Sequence, residues 1–351
     1  MPATVQPAES AMKYRRIVLA SRPRGRPVAE NFRLEEAELP EPGPGEVAVR
    51  TLWLSLDPYM RGRMDDAKSY ARPVGIGETM EGGAVGEVIA SNAADFAPGD
   101  IVVGRIGWAD HGVLAASELR KVDPGLAPVQ TALGILGMPG HTAWVGVNDI
   151  LRVGAGDTVV ISAATGAVGS LAGQLARLRG AKRVIGIAGG AEKCAFARAE
   201  LGYDVCLDHR AAADGRAMAA MLAEAAPDGI TAYFENVGGK VLEGVLPNMA
   251  DHGRIAVCGM IAWYSGQGVA EAAPAPFIWR TILVKRLTVR GFIIFDHPDR
   301  FAPFIAEVAP LIAQGRIRYR EDITEGLENA PEAFMAMLEG GNFGKTLVKV
   351  G

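Results

Sequence analysis

Apolar and polar positions along the chain follow two different patterns. From Ile17 to about Gly137, short β-type runs are separated by turn residues, which predicts a β-barrel or sandwich-like domain. After Gly154, apolar runs of strand length alternate with segments of helical length, as in βαβ units that build a parallel sheet. The β runs of the first half include Glu46 to Leu54, Ala84 to Ala90 and Asp100 to Ile106.

Six apolar runs in the second half predict one doubly wound parallel sheet of the Rossmann type, so the fold class is α/β. The first run leads into a helix from Ala167 to Arg179, and Gly180 supplies a stop for that helix. The six predicted strands are Thr158 to Ala164, Arg183 to Gly189, Asp204 to Leu207, Ile230 to Asn236, Arg254 to Gly259 and Leu287 to Ile294.

The two ends of the chain do not follow the βαβ alternation. Beyond about Ala309 the pattern breaks into a short segment at Arg316 to Arg320, a helix at Ala330 to Glu339 and a final strand at Thr346 to Val350. We expect this part to return to the N-terminal β domain and to leave a cleft between two lobes. The expected division is a catalytic β domain from residues 12–137 and 310–351 and a dinucleotide domain from residues 138–309.

Composition narrows the classes of function. A chain of 351 residues favours two domains over one. The net charge of -4 and the scattering of 36 Lys and Arg residues disfavour nucleic acid as a partner. No apolar run approaches the ~18 residues of a membrane span. With neither a basic nor an acidic footprint, the partner we expect is a small-molecule substrate. The three cysteines form no CxxC pair, which favours a cytoplasmic protein without a disulfide framework. Residues 1–11 have no apolar core of a secretory signal, and we expect a loose tail.

A glycine motif follows the first predicted strand of the second half. The pattern is Ala164-x-Gly166-x-x-Gly169, between a strand and a helix, and this context is typical of dinucleotide binding. Gly166 permits close approach of a pyrophosphate, and Gly169 permits contact between helix and strand. The helix N-terminus offers free N–H groups to the anion. A tight βα turn without a ligand is the alternative interpretation.

The end of the second predicted strand indicates which dinucleotide is bound. An NAD site usually presents Asp or Glu to the ribose about 20 residues after the glycines. This chain has Ala188-Gly189-Gly190 instead, and Lys193 is the nearest positive charge for a ribose 2′-phosphate. NADPH is therefore favoured. A surface role for Lys193, with Glu192 binding the ribose of NAD, is the alternative.

Seven motifs resemble zinc-independent members of the medium-chain dehydrogenase/reductase superfamily, in the branch of prostaglandin reductases, alkenal double-bond reductases and bacterial curcumin reductases. The resemblance covers nearly all of Met12 to Gly351. Its motifs are Leu56-Asp57-Pro58-Tyr59-Met60-Arg61-Gly62-Arg63-Met64, Gly137-Met138-Pro139-Gly140-His141-Thr142-Ala143, Ala163-Ala164-Thr165-Gly166-Ala167-Val168-Gly169-Ser170, Glu192-Lys193-Cys194, Phe234-Glu235-Asn236-Val237-Gly238-Gly239, Cys258-Gly259-Met260-Ile261 and Asn342-Phe343-Gly344-Lys345.

The resemblance implies a GroES-like catalytic domain built from both chain ends, a Rossmann domain between them, and a homodimer. It also implies that Lys193 binds the 2′-phosphate and that Tyr264 lies near the nicotinamide ribose and the substrate carbonyl, while Tyr59 lines the substrate pocket. Packing roles are the alternative for both tyrosines. The catalytic residues expected are Tyr264 and Tyr59. The cofactor-binding residues expected are Ala164, Thr165, Gly166, Ala167, Val168, Gly169, Gly189, Lys193, His209, Asn236, Cys258, Tyr264, Phe292, Ile293 and Asn342.

The chain departs from its relatives at two places. Where zinc-dependent alcohol dehydrogenases carry Gly-His-Glu, it has Thr79-Met80-Glu81, and no cysteine precedes Cys194. Catalytic zinc therefore lacks its usual ligands, and we expect no metal. Where close relatives commonly place tyrosine near the 2′-phosphate, the chain has Asp208-His209-Arg210, and His209 and Arg210 are the candidates to replace that contact.

These residues together predict an enzyme that uses NADPH to reduce the C=C bond of α,β-unsaturated ketones or aldehydes. Hydride would pass to the β-carbon, and Tyr264 would donate a hydrogen bond to the enolate oxygen. Quinone reduction by the same chemistry is one alternative. A protein that senses NADPH without turnover is an alternative from another class.

Overall fold

The computed structural model describes residues 12–351 and contains two large sheets and a separate hairpin. The predicted tail, residues 1–11, lies outside the described residues. The hairpin pairs strand β1 with strand β2 in antiparallel register, from Lys13 opposite Glu38 to Leu19 opposite Phe32. The first seven strands are β1 Lys13–Leu19, β2 Phe32–Glu38, β3 Glu46–Ser55, β4 Ala84–Ser91, β5 Ile101–Gly104, β6 His111–Ala115 and β7 Arg120–Lys121.

A six-stranded parallel sheet occupies the middle of the chain. Its strand order is β10-β9-β8-β11-β12-β13, and every pairing in it is parallel. Helices cover both faces, so two apolar cores lie on opposite sides of the sheet. The predicted Rossmann fold is confirmed. Its strands are β8 Thr158–Ser162, β9 Arg183–Ala188, β10 Val205–Asp208, β11 Ile230–Glu235, β12 Met249–Val257 and β13 Thr288–Gly291.

The helices of eight or more residues lie mainly around this parallel sheet. A first helix of a single turn, α1, follows β3 instead. The helix predicted from Ala167 to Arg179 is α3, which begins two residues later, at the glycine that closes the βα turn. The helices are α1 Met60–Arg63, α2 Met138–Val145, α3 Gly169–Leu178, α4 Ala191–Glu200, α5 Gly215–Ala225, α6 Gly239–Asn248, α7 Ala275–Lys285, α8 Phe301–Ala313 and α9 Ala330–Leu338.

Both ends of the described chain build the second large sheet, as expected. Its order is β14-β15-β3-β4-β5-β7, with β6 also paired to β3, and its last two strands are β14 Glu321–Glu325 and β15 Lys345–Lys349. An aromatic cluster ties helix α9 into the same lobe. Trp108 stacks on Phe32 with ring centroids 5.6 Å apart, and Phe334 packs edge-on to Trp108 at 5.4 Å. Such pairs add to area burial, so α9 is an integral part of the N-terminal core.

The short segment Arg316 to Arg320 forms no strand, and the strand of this region is β14, immediately after it. Ile317 is instead buried in the core of the Rossmann lobe. The side-chain amide of Gln174 takes the place of a strand partner, because it accepts from the N–H of Arg318 and donates to its carbonyl oxygen, both at 2.8 Å.

Two strands of the parallel sheet have bounds different from those predicted. Strand β12 starts five residues earlier than the predicted Arg254, and its register to β11 shifts near His252, which has a positive φ of 60°. Strand β13 is shorter than the predicted Leu287 to Ile294, because the ring of Phe292 turns into the core against Phe234.

The expected domain boundary between residues 309 and 310 lies inside α8, and this division remains a proposal. No helix in residues 12–351 is long and apolar enough to cross a membrane.

A buried ion pair connects the two ends of the N-terminal lobe. The ammonium group of Lys345 donates to the Asp57 carboxylate at 3.1 Å, to the carbonyl oxygen of Leu56 at 2.6 Å and to that of Thr346 at 3.0 Å. Both side chains are buried, and the hydroxyl of Ser55 donates to the other carboxylate oxygen of Asp57. Burial lowers the pKa of Lys345, while Asp57 acts in the opposite direction. The pair is therefore compensated only when β15 and the turn after β3 are both in place.

Replacing Lys345 with methionine is expected to lower the free energy of unfolding by about 3–5 kcal/mol, because the buried carboxylate of Asp57 loses its partner. The control is Lys349→Met on the same strand, where the pair with Glu325 spans 3.6 Å at the surface. That change should cost less than about 1 kcal/mol. Urea unfolding followed by circular dichroism measures both variants. Equal losses would contradict the role given to the buried pair.

Candidate cofactor and active site

The turn between β8 and α3 forms the base of the candidate site. A Cβ atom on Gly169 would lie 2.2 Å from the carbonyl oxygen of Ala163, so only glycine lets the helix start this close to the strand. Ala163 itself has a positive φ of 51°, which is uncommon for a residue other than glycine. A Cβ on Gly166 would meet that carbonyl only at 3.2 Å, and Gly166 remains partly accessible. The predicted residues Ala164 to Gly169 thus lie together at the N-terminus of α3.

Tyr203 supports this turn from behind, and sequence reasoning missed it. Its hydroxyl donates to the carbonyl oxygen of Gly169 at 2.7 Å, and its ring lies against Gly173, where a Cβ would be 2.3 Å from the ring. Burial raises the pKa of Tyr203 well above its usual value, so the phenol remains a donor. An isolated tyrosine between a helix and a strand gives no local signal of this contact.

The end of β11 carries a second predicted contact, Asn236. Its backbone N–H donates to the hydroxyl of Ser162 and its side-chain amide donates to the carbonyl of Ser162, both at 2.8 Å. This leaves the amide oxygen for a ligand. The buried carboxylate of Glu235 accepts from the N–H groups of Val237 at 2.6 Å and Gly238 at 3.0 Å. Burial raises the pKa of Glu235, while these N–H groups lower it. The loop after β11 is therefore held by hydrogen bonds to the Glu235 carboxylate and to Ser162 on the neighbouring strand β8.

Residues expected to bind the ribose phosphate also come together. His209 lies over Gly189, since a Cβ on that glycine would be 2.9 Å from Nε2 of the imidazole. The ammonium of Lys193, at the start of α4, donates to the carbonyl oxygen of Gly340 at 2.8 Å. Asn342 lies in the same loop, with its amide donating to Gly344 at 2.9 Å. The loop before β15 thus contacts the Rossmann lobe at the predicted phosphate site.

Tyr264 follows the end of β12, at the carboxyl edge of the sheet. Its hydroxyl accepts from the N–H of Met260 at 3.2 Å, and a Cβ on Gly259 would lie 2.9 Å from it. Burial raises the pKa of Tyr264, the Met260 N–H lowers it, and nearby Cys258 and Tyr70 raise it further. The phenol therefore keeps its proton at neutral pH. With its oxygen accepting from Met260, the hydroxyl can still donate this proton to a ligand.

Cys258, Phe292 and Ile293 lie at the ends of β12 and β13. Burial raises the pKa of the Cys258 thiol to about 12, so it stays neutral. The Phe292 ring packs edge-on to Phe234 at 6.3 Å and belongs to the core. The expected cofactor contacts of Cys258, Phe292 and Ile293 remain predictions.

The N-terminal lobe contributes a cluster of Tyr59, Arg63 and Tyr70. The guanidinium of Arg63 lies 5.6 Å from the ring centroid of Tyr59 and 4.3 Å from that of Tyr70. Burial, followed by the charge of Asp57, raises the pKa of Tyr59 far above its usual range. Tyr70 also contributes to the raised pKa of Tyr264, so it lies near both tyrosines predicted from sequence. Tyr70 was missed, since an aromatic residue in an irregular loop carries no periodic signal.

Met80 stands where zinc-dependent alcohol dehydrogenases carry the histidine of Gly-His-Glu. Met80 is fully buried in the core of the N-terminal lobe. The carboxylate of Glu81 accepts from the guanidinium of Arg63 at 3.0 Å. In residues 12–351, no three His, Cys, Asp or Glu side chains come together in a way that could hold a metal ion.

This geometry agrees with comparisons to known proteins. Residues 15–122 match a family model described as the N-terminal domain of oxidoreductase, and residues 167–310 match one described as zinc-binding dehydrogenase. The NADPH-dependent curcumin reductase of Escherichia coli is 47% identical over 97% of this chain and 98% of that protein. The chain belongs to the medium-chain dehydrogenase/reductase family. The family and fold expected from sequence are thereby confirmed.

Two further relatives of this family resemble the chain over most of its length. The NADP(+)-dependent 2-alkenal reductase of Nicotiana tabacum is 38% identical over 89% of both chains. The crystal structure of CurA from Vibrio vulnificus in complex with NADPH superposes with a TM-score of 0.91. It has 49% identity and covers 96% of this chain and 99% of that one. The likeness thus includes both lobes of this medium-chain reductase.

Treatment with a chelator is expected to leave the activity of this medium-chain reductase unchanged, because Met80 and Glu81 supply no zinc site. NADPH oxidation before and after dialysis against EDTA, together with the metal content of the protein, measures this. A zinc-dependent alcohol dehydrogenase treated in the same way is the control. Stoichiometric zinc with turnover lost on chelation would contradict the expectation.

Proposed function

We propose that this chain is an NADPH-dependent reductase of the C=C bond in α,β-unsaturated ketones or aldehydes. The observation that carries the proposal is the meeting of three parts at one edge of the sheet. These are the glycine turn before α3, the cationic site around Gly189 and the Tyr264 hydroxyl. Ligands bind at this carboxyl edge in open α/β folds. The activities named for the relatives from Escherichia coli and Nicotiana tabacum support the same chemistry.

The residues present fit NADPH. Gly166 and the N-terminus of α3 offer space and N–H groups to a pyrophosphate. Since the amide nitrogen of Asn236 donates to Ser162, its amide oxygen can accept a hydrogen bond from the cofactor. Lys193 uses one of its three donors on Gly340 and keeps two for the 2′-phosphate. When bound here, NADPH supplies hydride from C4 of its nicotinamide to the β-carbon of the substrate.

Tyr264 acts on the charge that develops in the substrate. As the β-carbon gains hydride, negative charge moves to the carbonyl oxygen and gives an enolate, which then takes up a proton at its α-carbon to give the saturated carbonyl product. The Tyr264 phenol is protonated, fixed by the Met260 N–H and half-buried, so it can donate to that oxygen without reorganising. Tyr59 and Tyr70 form an aromatic wall on the opposite lobe that orients a flat conjugated substrate and limits access of water.

The direct test follows NADPH oxidation with a panel of enones and a panel of quinones, and identifies the products. We expect turnover of enones with saturated carbonyl products. Allylic alcohols as products would show attack on C=O and contradict the proposal. Faster turnover of quinones would favour the alternative activity. Tight NADPH binding without turnover of either panel would favour a sensor.

The change Tyr264→Phe is expected to lower kcat by up to about a hundredfold while the Kd of NADPH stays within about twofold. The reason is that the hydroxyl acts on charge formed during hydride transfer and not on the bound cofactor. Tyr14→Phe, on the outer β1-β2 hairpin, is the control and should change neither value. Stopped-flow reduction and fluorescence titration measure the two quantities. An unchanged kcat would reduce Tyr264 to a packing residue.

The change Lys193→Ala is expected to weaken NADPH roughly ten- to a hundredfold while NADH binding is nearly untouched, because only the phosphate loses a charged partner. Lys182→Ala is the control, since Lys182 is exposed at the opposite end of β9 and pairs with Asp228. Equal weakening of both cofactors would make Lys193 a structural residue and favour Glu192 as the ribose contact.

We also propose that the chain forms a homodimer through α7 and β13. Helix α7 carries apolar residues beyond its inner side, because Ile278 and Ile282 pack on the core while Phe277, Trp279, Leu283 and Val284 are exposed. A helix of this kind is normally buried. Strand β13 pairs with β12 alone within residues 12–351, so its outer edge is open and Val289 is exposed. A second copy related by a two-fold axis would cover both features.

The three free cysteines support a cytoplasmic location.

The double change Trp279→Glu and Leu283→Glu is expected to convert the dimer to a monomer, because two carboxylates cannot be buried at an apolar contact. Leu126→Glu, at an exposed apolar position elsewhere, is the control. Light scattering after size exclusion gives the mass in solution. A monomeric wild type, or a double variant that remains dimeric, would contradict the proposed interface.

A further inference from the structure

The space above Gly189 and Gly190 is bordered by side chains from the turn that follows strand β10. Besides His209, the guanidinium of Arg210 lies there. A Cβ on Gly189 would be 3.2 Å from its Nε, and a Cβ on Gly190 would be 3.5 Å from its Nη1. An acidic side chain would start from this part of the chain in an NAD-binding relative. Here an imidazole and a guanidinium occupy the place of that carboxylate.

Charged groups of both signs surround this place. Burial lowers the pKa of Lys193 and the charge of Arg210 lowers it further, while the charges of Asp322 and Glu192 raise it. The carboxylate of Asp208 is already engaged, because it accepts from the N–H of Gly190 at 2.8 Å and from the N–H of Arg210 at 2.9 Å. No ion pair of the Arg210 guanidinium occurs in the described part of the chain. A guanidinium without an ion-pair partner, on the same side as the Lys193 ammonium, favours a bound anion.

His209 cannot supply the same charge. Burial lowers the pKa of His209, the charges of Lys240, Arg210 and Lys193 lower it further, and only Asp208 raises it. The imidazole is therefore neutral at neutral pH and offers one hydrogen bond. A guanidinium stays charged and presents several N–H donors in a planar fork that matches phosphate oxygens.

We propose that Arg210 is the second cation that binds the 2′-phosphate of NADPH, opposite Lys193, and that His209 is a neutral neighbour. This inference rests on the proposed use of NADPH and adds the residue that determines its selectivity. Arg210 and Lys193 approach the phosphate from the turn after β10 and from α4. Gly189 and Gly190 leave the space between them free of side chains.

The test is calorimetric binding of NADPH, NADH and adenosine 2′,5′-bisphosphate to the full-length protein. Arg210→Gln should weaken the two ligands with a 2′-phosphate roughly ten- to a hundredfold and leave NADH within about twofold. Arg210→Lys should recover part of the loss. The control is Arg216→Gln, which removes an exposed charge six residues further along and should change each Kd by less than about twofold.

A comparison of pH profiles separates Arg210 from His209. The phosphate titrates near pH 6, so its own effect is cancelled by comparing wild type with His209→Gln. Parallel profiles from about pH 6 to pH 8 are expected, because a neutral His209 contributes no charge. A loss of affinity with rising pH that is present in wild type and absent in His209→Gln would assign the charge to His209 and overturn the proposal.

The remaining outcomes distinguish this inference from the proposed function. If wild type prefers NADPH and Arg210→Gln retains that preference, Arg210 is not a phosphate ligand. If Arg210→Gln weakens NADH as much as NADPH, its role is to support the loop. If wild type binds NADH as tightly as NADPH, the use of NADPH itself is wrong, whatever the variant does.

Discussion

Lys345 and Asp57 are buried together at the point where the two ends of the described chain meet. Their charges would be better solvated in water, so the pair is tolerable only with the carbonyl oxygens of Leu56 and Thr346 in place. Tyr59 lies in the turn that Asp57 begins, and Asn342 lies in the loop that leads to Lys345. The same contact therefore fixes the turn of Tyr59, the proposed wall of the substrate pocket, relative to the loop that reaches Lys193. Both halves of the site depend on this one compensated pair.

The parallel sheet contributes the rigid side of the site. Its strands all end at one edge, and the loops there are held by groups that are themselves fixed. Tyr203 holds the turn before α3, Glu235 holds the loop after β11, and the Met260 N–H holds the Tyr264 hydroxyl. Donors that are positioned before the reaction need no reorganisation when charge develops, which is the main advantage of such an arrangement. This medium-chain reductase therefore places its chemistry on loops but takes their geometry from the sheet.

The selectivity for a phosphorylated cofactor rests on a carboxylate that is missing and on cationic side chains that are present. Gly189 and Gly190 remove the carboxylate that would repel a 2′-phosphate, and the same glycines make room for the side chains of His209 and Arg210. Lys193 approaches from α4 and is also tied to the carbonyl of Gly340. A single cluster thus connects the choice of cofactor with the position of the loop before β15, which comes from the other lobe.

Local patterns in the sequence were enough for the Rossmann lobe. Strand, glycine turn and helix follow one another between Thr158 and Leu178, so the steric requirement at Gly169 and the free helix N-terminus can be recognised from neighbouring residues. The absence of zinc ligands and the lack of an acidic residue after β9 are likewise matters of residue type. Tertiary structure alone decided which distant residues complete the site. Tyr70 meets Tyr59 through Arg63, and Arg210 reaches Gly189 from the turn after β10. It also decided that Arg318 pairs with the Gln174 side chain while β14 forms the strand. These contacts join residues far apart in the chain, and their energy depends on burial and charge that no single segment specifies by itself.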